Sequence, residues 1–104
     1  MKTIAFCSLF VVGAAVTVFA ADASAGKAVY AKRCQSCHGA KGEGNPNVAK
    51  MLKATIKPLS DSSVQSKSDD DLKKEIANGV GKMKPVKLTD AEASDVVAYV
   101  KTLK

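Results

Sequence analysis

The sequence predicts an all-α fold of three to four helices in one small domain. Apolar residues recur at spacings of three and four in several segments, whereas the alternation typical of a half-buried strand is absent. Side chains that cap helices begin these segments, and glycine or proline residues separate them. A chain of 104 residues has room for one such domain.

The first predicted helix runs from about Ala25 into Cys34, with Ser24 as its N-cap. Its candidates for burial are Ala28, Tyr30, Ala31 and Cys34. Four residues that break helices then predict a loop: Gly39, Gly42, Gly44 and Pro46. A short helix is indicated between this loop and Pro58, because three apolar residues share a face there: Val48, Met51 and Leu52.

Two clearer helices follow, each with a capping residue at its start. Ser68 begins the first, with Asp71 at the capping-box position, and Gly79 ends it. Thr89 begins the second, and Glu92 completes its capping box. The apolar stripe of this last helix consists of Ala93, Val96, Val97, Val100 and Leu103.

The N-terminal segment has the pattern of a secretory signal. Met1 and Lys2 precede an apolar run from Ile4 to Ala20, and small residues follow it. We predict that residues 1–20 are removed by a cut between residues 20 and 25, which would place the mature domain, residues 21–104, in the periplasm. An uncleaved membrane anchor is the alternative, but the run of 17 residues is short of the roughly 20 that a spanning helix needs. Cys7 would be lost with the signal.

The mature domain has little aromatic material for a core. All three phenylalanines lie in residues 1–20, so only Tyr30 and Tyr99 remain after them. Small domains of this kind depend on disulfides, a metal or a cofactor for stability. A disulfide between Cys34 and Cys37 would close a loop too short to stabilise much. A bulky apolar cofactor is therefore the predicted core filler.

The charge of the chain is positive and unevenly distributed. The net charge is +6 for the whole chain and +5 without residues 1–20. Seven basic residues lie between Lys27 and Lys57, with Glu43 as the one acid among them. This bias suits a partner protein with an acidic surface. It does not favour nucleic acid, because no nucleic-acid motif and few aromatic residues accompany the lysines.

Cys34, Cys37 and His38 form a C-x-x-C-H motif, the attachment sequence of c-type haem. Two thiols so spaced reach the two vinyl groups of one haem, and the next histidine points at the iron. A thioredoxin-like dithiol also uses C-x-x-C, but within a βαβ unit that this helical pattern lacks. A zinc site would need a fourth ligand, yet His38 is the only histidine and residues 21–104 contain no third cysteine.

Two methionines are candidates for the sixth iron ligand, because no second histidine is present. Met51 shares a face with Val48 and Leu52, which indicates a core residue. Met83 follows a glycine-containing loop and precedes Pro85, so the backbone is flexible before the methionine and restricted after it. Met83 is the favoured ligand, and a core position remains the alternative for it.

Several features occur in an order typical of one known family: Gly26 and Tyr30 in the first helix, the motif from Cys34 to His38, Met83, and Tyr99. Beyond residue 20 the chain resembles a small bacterial class I cytochrome c over nearly its whole length. The resemblance implies a cytochrome c-like fold around one covalently attached haem c, with crossed terminal helices and with His38 and Met83 as axial iron ligands.

The same resemblance implies that a proline carbonyl contacts the haem histidine, with Pro46 as the best match and Pro58 as its rival. One departure from the family pattern is Lys84, which separates Met83 from Pro85, whereas many relatives have methionine directly before proline.

The function predicted from these features is that of a soluble, monomeric periplasmic electron carrier. Six-coordinate iron leaves no position for a small-molecule substrate, so the protein is predicted not to be an enzyme. Its partners would be redox proteins that dock on lysines near the haem edge; the candidates are Lys27, Lys41, Lys82, Lys84 and Lys87. One alternative is a haem peroxidase or gas sensor, in which the sixth coordination position of the iron would be open or its ligand easily displaced. The other is a binding module without haem.

Overall fold

The computed structural model describes residues 21–104 and the single position Gly13. Apart from Gly13, the predicted signal segment, residues 1–20, lies outside the described residues. Residues 21–104 fold into six helices: α1 (Ala23–Arg33), α2 (Gln35–His38), α3 (Pro46–Leu52), α4 (Ser62–Gln65), α5 (Asp69–Asn78) and α6 (Asp90–Val100). None of the helices in this range is long and apolar enough to cross a membrane.

The all-α prediction is confirmed for this part of the chain. The four longer helices correspond to the four segments predicted from the sequence, and α2 and α4 add a single turn of four residues each. Residues 21–104 contain no β-strand, and their one β-type pairing is an isolated bridge between Val80 and Met83.

The N-caps of α5 and α6 are those predicted. The Ser68 hydroxyl accepts a hydrogen bond from the backbone N–H of Asp71 at 3.1 Å. At α6, the Thr89 hydroxyl accepts from the Glu92 N–H at 3.1 Å, and the Glu92 carboxylate accepts from the Thr89 N–H at 3.0 Å. Both bonds of this capping box satisfy N–H groups that have no partner within the helix.

The start of α1 differs from the prediction. Asp22, not Ser24, is its N-cap: the Asp22 carboxylate accepts from the N–H groups of Ser24 and Ala25 at 2.9 and 3.3 Å. The helix therefore begins at Ala23, two residues earlier than predicted. Aspartate and serine are comparable N-caps, and the earlier one also ties α1 to α6, because the Asp22 N–H donates to Asp95 Oδ1 at 2.8 Å.

The crossing of α1 and α6 is the main packing contact of the described chain. Gly26 is buried there, and a β carbon at this position would lie 1.9 Å from the Asp95 carbonyl oxygen. Only glycine allows the two backbones to approach this closely. One turn further on, the rings of Tyr30 and Tyr99 lie 5.2 Å apart at an angle of 58°, a favourable tilted geometry for an aromatic pair.

The protein core is small. Within residues 21–104, the buried hydrophobic side chains are Tyr30, Leu72, Val96 and Val97. The burial predicted for Ala28 and Ala31 is wrong, because both are exposed. Met51 is not a core residue either, since 75% of it is accessible to solvent. Periodicity indicates which residues share a helical face, but it does not show whether another element covers that face.

Candidate haem site

The attachment motif lies at the junction of α1 and α2. Cys34 ends α1, where its N–H donates to the Tyr30 carbonyl at 2.9 Å. The N–H groups of Cys37 and His38 both donate to the Cys34 carbonyl, at 3.2 and 3.0 Å. Residues three and four positions apart on such a turn lie on one face. The fold thus presents the two thiols and the imidazole together.

The two thiols of the motif are free. Neither Cys34 nor Cys37 forms a disulfide, and each is partly buried. Burial raises the pKa of the Cys34 thiol, which keeps this group protonated at neutral pH. Because neither sulfur is in a disulfide, both are available for thioether bonds.

The His38 side chain is half-buried, and its Nδ1 atom is buried and has no hydrogen-bond partner among the described residues. Burial lowers the pKa of His38, so the ring is neutral at pH 7 and carries the lone pair that a metal needs. The contact implied for the Pro46 carbonyl, with Pro58 as its rival, is therefore not made to this nitrogen. Instead, Pro46 is the first residue of α3, a position that suits its fixed φ and missing N–H.

The turn that carries His38 is held by backbone contacts from the loop after it. The Gly44 N–H donates to the His38 carbonyl at 2.6 Å, and the Asn45 N–H donates to the Cys37 carbonyl at 2.9 Å. The Asn45 side-chain amide donates to the Ser36 carbonyl at 3.2 Å. Three consecutive carbonyls of the motif are thus fixed by two neighbouring residues.

Met83 lies between α5 and α6, in a tight turn. Its N–H donates to the Val80 carbonyl at 2.9 Å, and its carbonyl accepts from the Val80 N–H at 3.1 Å. Gly79 has a φ of 74°, and a β carbon there would lie 2.6 Å from the Met83 carbonyl oxygen, so this turn requires glycine. Met83 is half-buried, in contrast to the exposed Met51.

These donors fit a c-type haem. Two free thiols and a neutral imidazole share one turn, and a soft thioether lies on a separate segment, which matches two covalent attachments and two axial ligands. They do not match a zinc site. Among residues 21–104, no three His, Cys, Asp or Glu side chains are grouped closely enough to hold a metal ion, whereas structural zinc requires four ligands.

Comparisons with known proteins agree with this donor set. A model of the cytochrome c family matches residues 23–104. The chain belongs to the cytochrome c family. It is 33% identical over 91 residues to cytochrome c-554(547) of Halothiobacillus neapolitanus, with 82% of this chain and 100% of that protein covered.

A solved structure described as the KustC0563 c-type cytochrome is similar in fold to this cytochrome c. It has a TM-score of 0.65 and 29% sequence identity, over 76% of this chain and 96% of that chain. The resemblance to small class I cytochromes c and the predicted haem cofactor are thereby confirmed. As a family member, this cytochrome c binds haem c covalently and acts as a haem-based electron carrier.

Sequence reasoning missed two contacts that shape the site of this cytochrome c. The Tyr30 hydroxyl donates to the Gly39 carbonyl, directly after the motif, at 2.6 Å. Asn45 links the motif to α3, because its side-chain oxygen also caps that helix. The Asn45–Pro46 pair was a usable signal for this cap, since asparagine favours the N-cap and proline the first helical position.

We expect the Tyr30 hydroxyl to make the stability of this cytochrome c depend on pH between about 10 and 12. Burial raises the pKa of Tyr30 from 10.0 to about 12. The folded protein therefore holds this proton more tightly than the unfolded chain does. The stabilisation is complete below pH 10 and is lost as the pH rises towards 12.

The measurement is urea unfolding of the wild type and of Tyr30→Phe at a series of pH values. The free energy of unfolding should fall more steeply for the wild type within this window. All other side chains are common to the two proteins, so the difference between the two curves isolates Tyr30. Parallel curves would show that the hydroxyl contributes no such dependence.

Proposed function

We propose that this cytochrome c is a soluble, monomeric periplasmic electron carrier in which Cys34 and Cys37 bind the haem and His38 and Met83 hold its iron. One observation carries the proposal. Two free thiols and a half-buried, neutral imidazole, whose buried Nδ1 atom has no hydrogen-bond partner among the described residues, occupy the same helical turn. Residues 21–104 would form the mature domain.

The thiols supply the covalent attachment. Cys34 and Cys37 would hold the haem through one thioether bond each to its two vinyl groups, with each S–H supplying both the sulfur and the proton of the addition. Cys34 and Cys37 lie three residues apart on one turn, which lets both sulfurs face the same ring system. The haem supplies an iron that alternates between the ferrous and ferric states.

His38 and Met83 would hold that iron. The His38 imidazole would donate a nitrogen lone pair, and the Met83 thioether, a soft ligand, would favour the ferrous state and so raise the reduction potential. With both ligands in place, the iron would have no position for a substrate. Electron transfer through the haem edge is then the function that these residues support, in preference to catalysis.

We propose that an acidic redox partner docks at a basic hollow of about 210 Å³ between α1 and the segment that follows Met83. The charged residues that line it are Lys32, Arg33, Lys87 and Glu92. The single ion pair among residues 21–104 joins Lys67 and Glu75. The three cations of the hollow are therefore free of such pairing in this part of the chain and outnumber its one carboxylate.

The position of the hollow suits electron transfer. Arg33 directly precedes Cys34, and Lys87 follows Met83 by four residues. The hollow thus joins the chain segments that carry the attachment motif and the proposed sixth ligand. Of the five lysines chosen from the sequence, Lys87 lines it, and the structure adds Lys32 and Arg33.

Neutralising the hollow should slow docking. In the triple variant Lys32→Gln, Arg33→Gln and Lys87→Gln, we expect the rate of electron transfer to the redox partner to fall about tenfold at low ionic strength, because charge steering is lost. The difference from wild type should shrink as salt is added. Stopped-flow kinetics over a range of salt concentrations measures this.

The matched control changes three lysines elsewhere by the same charge: Lys53→Gln, Lys57→Gln and Lys104→Gln. The rate of electron transfer in this control should fall less than in the variant of the hollow. Equal rates for the two triple variants would show that net charge, and not the hollow, governs docking. A wild-type rate that does not depend on salt would remove the docking proposal altogether.

Export is proposed from the sequence of residues 1–20. N-terminal sequencing of protein purified from the periplasm should find a mature chain that begins between Ala21 and Gly26, because small residues surround the proposed cuts. Met1 or Lys2 at the N-terminus of the mature protein would contradict cleavage.

A further inference from the structure

Asn45 makes hydrogen bonds in two directions at once. Its backbone N–H and its side-chain Nδ2 donate to the carbonyls of Cys37 and Ser36, at 2.9 and 3.2 Å. Its side-chain Oδ1 accepts from the N–H groups of Asn47 and Val48, at 3.0 and 3.4 Å. One residue therefore joins the turn that carries His38 to the start of α3.

The Nδ2 amino group of Asn45 is not needed to cap α3. Four other helices of the described chain have a side-chain cap, and in each the cap is a carboxylate or hydroxyl oxygen: Asp22, Asp61, Ser68 and Thr89. An N-cap requires only an acceptor. The amide of Asn45 adds a donor, and the donor is directed at the haem-attachment turn.

His38 is the residue that this turn must orient. In metal sites, the second nitrogen of a ligating imidazole commonly donates a hydrogen bond that fixes the ring. Nδ1 of His38 has no such partner among the described residues. The orientation of the ring therefore depends on its packing and on the backbone of residues 36–38, two of whose carbonyls are held by Asn45.

We propose that Asn45 is a positioning residue for the haem site, which sets the orientation of the His38 imidazole and thereby the reduction potential. The inference rests on the proposed role of His38 as an iron ligand. Loss of the bond to the Ser36 carbonyl would loosen this turn, so that the His38 imidazole is held less firmly towards the iron and the reduction potential changes.

The experiment compares haem-loaded Asn45→Ser and Asn45→Ala with the wild type. Serine is as good an N-cap as asparagine, but its short hydroxyl cannot both cap α3 and reach Ser36, whereas alanine loses both contacts. The measurements are the reduction potential and the haem-methyl shifts in the NMR spectrum of the ferric protein, which depend on the plane of the axial imidazole. Both variants should show a shifted potential and an altered methyl pattern.

Ser68→Ala is the matched control, because it removes the N-cap of α5. It should lower the free energy of unfolding and leave the potential and the methyl pattern unchanged. Asn45→Asp keeps an oxygen that can cap α3 but lacks the Nδ2 donor. Its added negative charge by itself affects the reduction potential, so only the haem-methyl pattern is compared for this variant. That pattern should change. If Asn45→Ser and Asn45→Asp keep the wild-type methyl pattern, and Asn45→Ser also keeps the potential, then Asn45 is a helix cap only.

Failure of this inference is distinguishable from failure of the proposed function. The wild-type ferric protein shows a thioether-to-iron absorption band if Met83 is a ligand, whatever residue 45 does. Absence of that band from the wild-type spectrum would overturn the proposal that Met83 is an iron ligand. An unchanged methyl pattern in the Asn45 variants, with the band present, would overturn the positioning role alone.

Discussion

Met83→Ala is expected to lower the reduction potential, open the iron to added ligands and raise peroxidase activity. Each effect follows from the loss of a soft thioether, which favours ferrous iron and fills the sixth coordination position. Redox titration, carbon monoxide binding to the ferrous protein at neutral pH, and a peroxidase assay measure the three effects. The wild-type protein should resist carbon monoxide.

Met51→Ala is the matched control for Met83→Ala. Met51 is 75% exposed, so its loss should change stability by no more than about 0.5 kcal/mol, as at other surface positions. Its potential and spectrum should remain those of the wild type. If Met51→Ala changed both and Met83→Ala changed neither, the ligand assignment would be wrong. If neither variant changed them, the iron would be five-coordinate or bound by lysine, and a peroxidase or gas sensor would become the better interpretation.

Substitution of both attachment cysteines, Cys34→Ala with Cys37→Ala, should leave a largely unfolded chain. The described protein core contains four buried hydrophobic side chains, too few to offset the conformational entropy of so many ordered residues. Far-UV circular dichroism should show a large loss of helix, and urea should produce no cooperative transition. The wild type should retain its colour through acid–acetone extraction, because its haem is covalently bound.

A cooperative and fully helical double variant would contradict this dependence. It would show that the crossing of α1 and α6 stabilises the fold by itself. The attachment motif would then serve electron transfer without contributing to stability. Because this outcome concerns folding, it would leave the assignment of Met83 untouched.

The features predicted correctly from the sequence depend on neighbouring residues. Ser68 and Thr89 begin helices because their hydroxyls reach N–H groups three positions later, a contact set by local geometry. The C-x-x-C-H spacing likewise places its side chains on one helical turn. Such features require no knowledge of the rest of the fold.

Two kinds of feature were missed by sequence analysis. The Asp22 cap of α1 is local, and Ser24 was chosen instead because serine and aspartate are comparable N-caps. Other features depend on which segments meet, such as the bond from the Asp22 N–H to Asp95, 73 positions away. Met51 is exposed, whereas Val48 and Leu52 on the same face are half-buried, and helical periodicity does not reveal this difference. The basic hollow forms because Arg33, which precedes the attachment motif in the sequence, and Lys87, which follows α5, line the same hollow in the fold. The bond between Asp22 and Asp95 and the basic hollow are long-range and have no signature in local spacing.

The optical spectrum of the protein matured in a host that attaches haem shows whether His38 and Met83 hold the iron. If His38 and Met83 hold the iron, the ferric protein shows low-spin bands together with the weak band, at the edge of the near-infrared, that arises from thioether bound to iron. That band should disappear in Met83→Ala and persist in Met51→Ala. High-spin ferric features in the wild type would contradict the electron-carrier account, and a protein without any haem absorption would contradict the haem site itself.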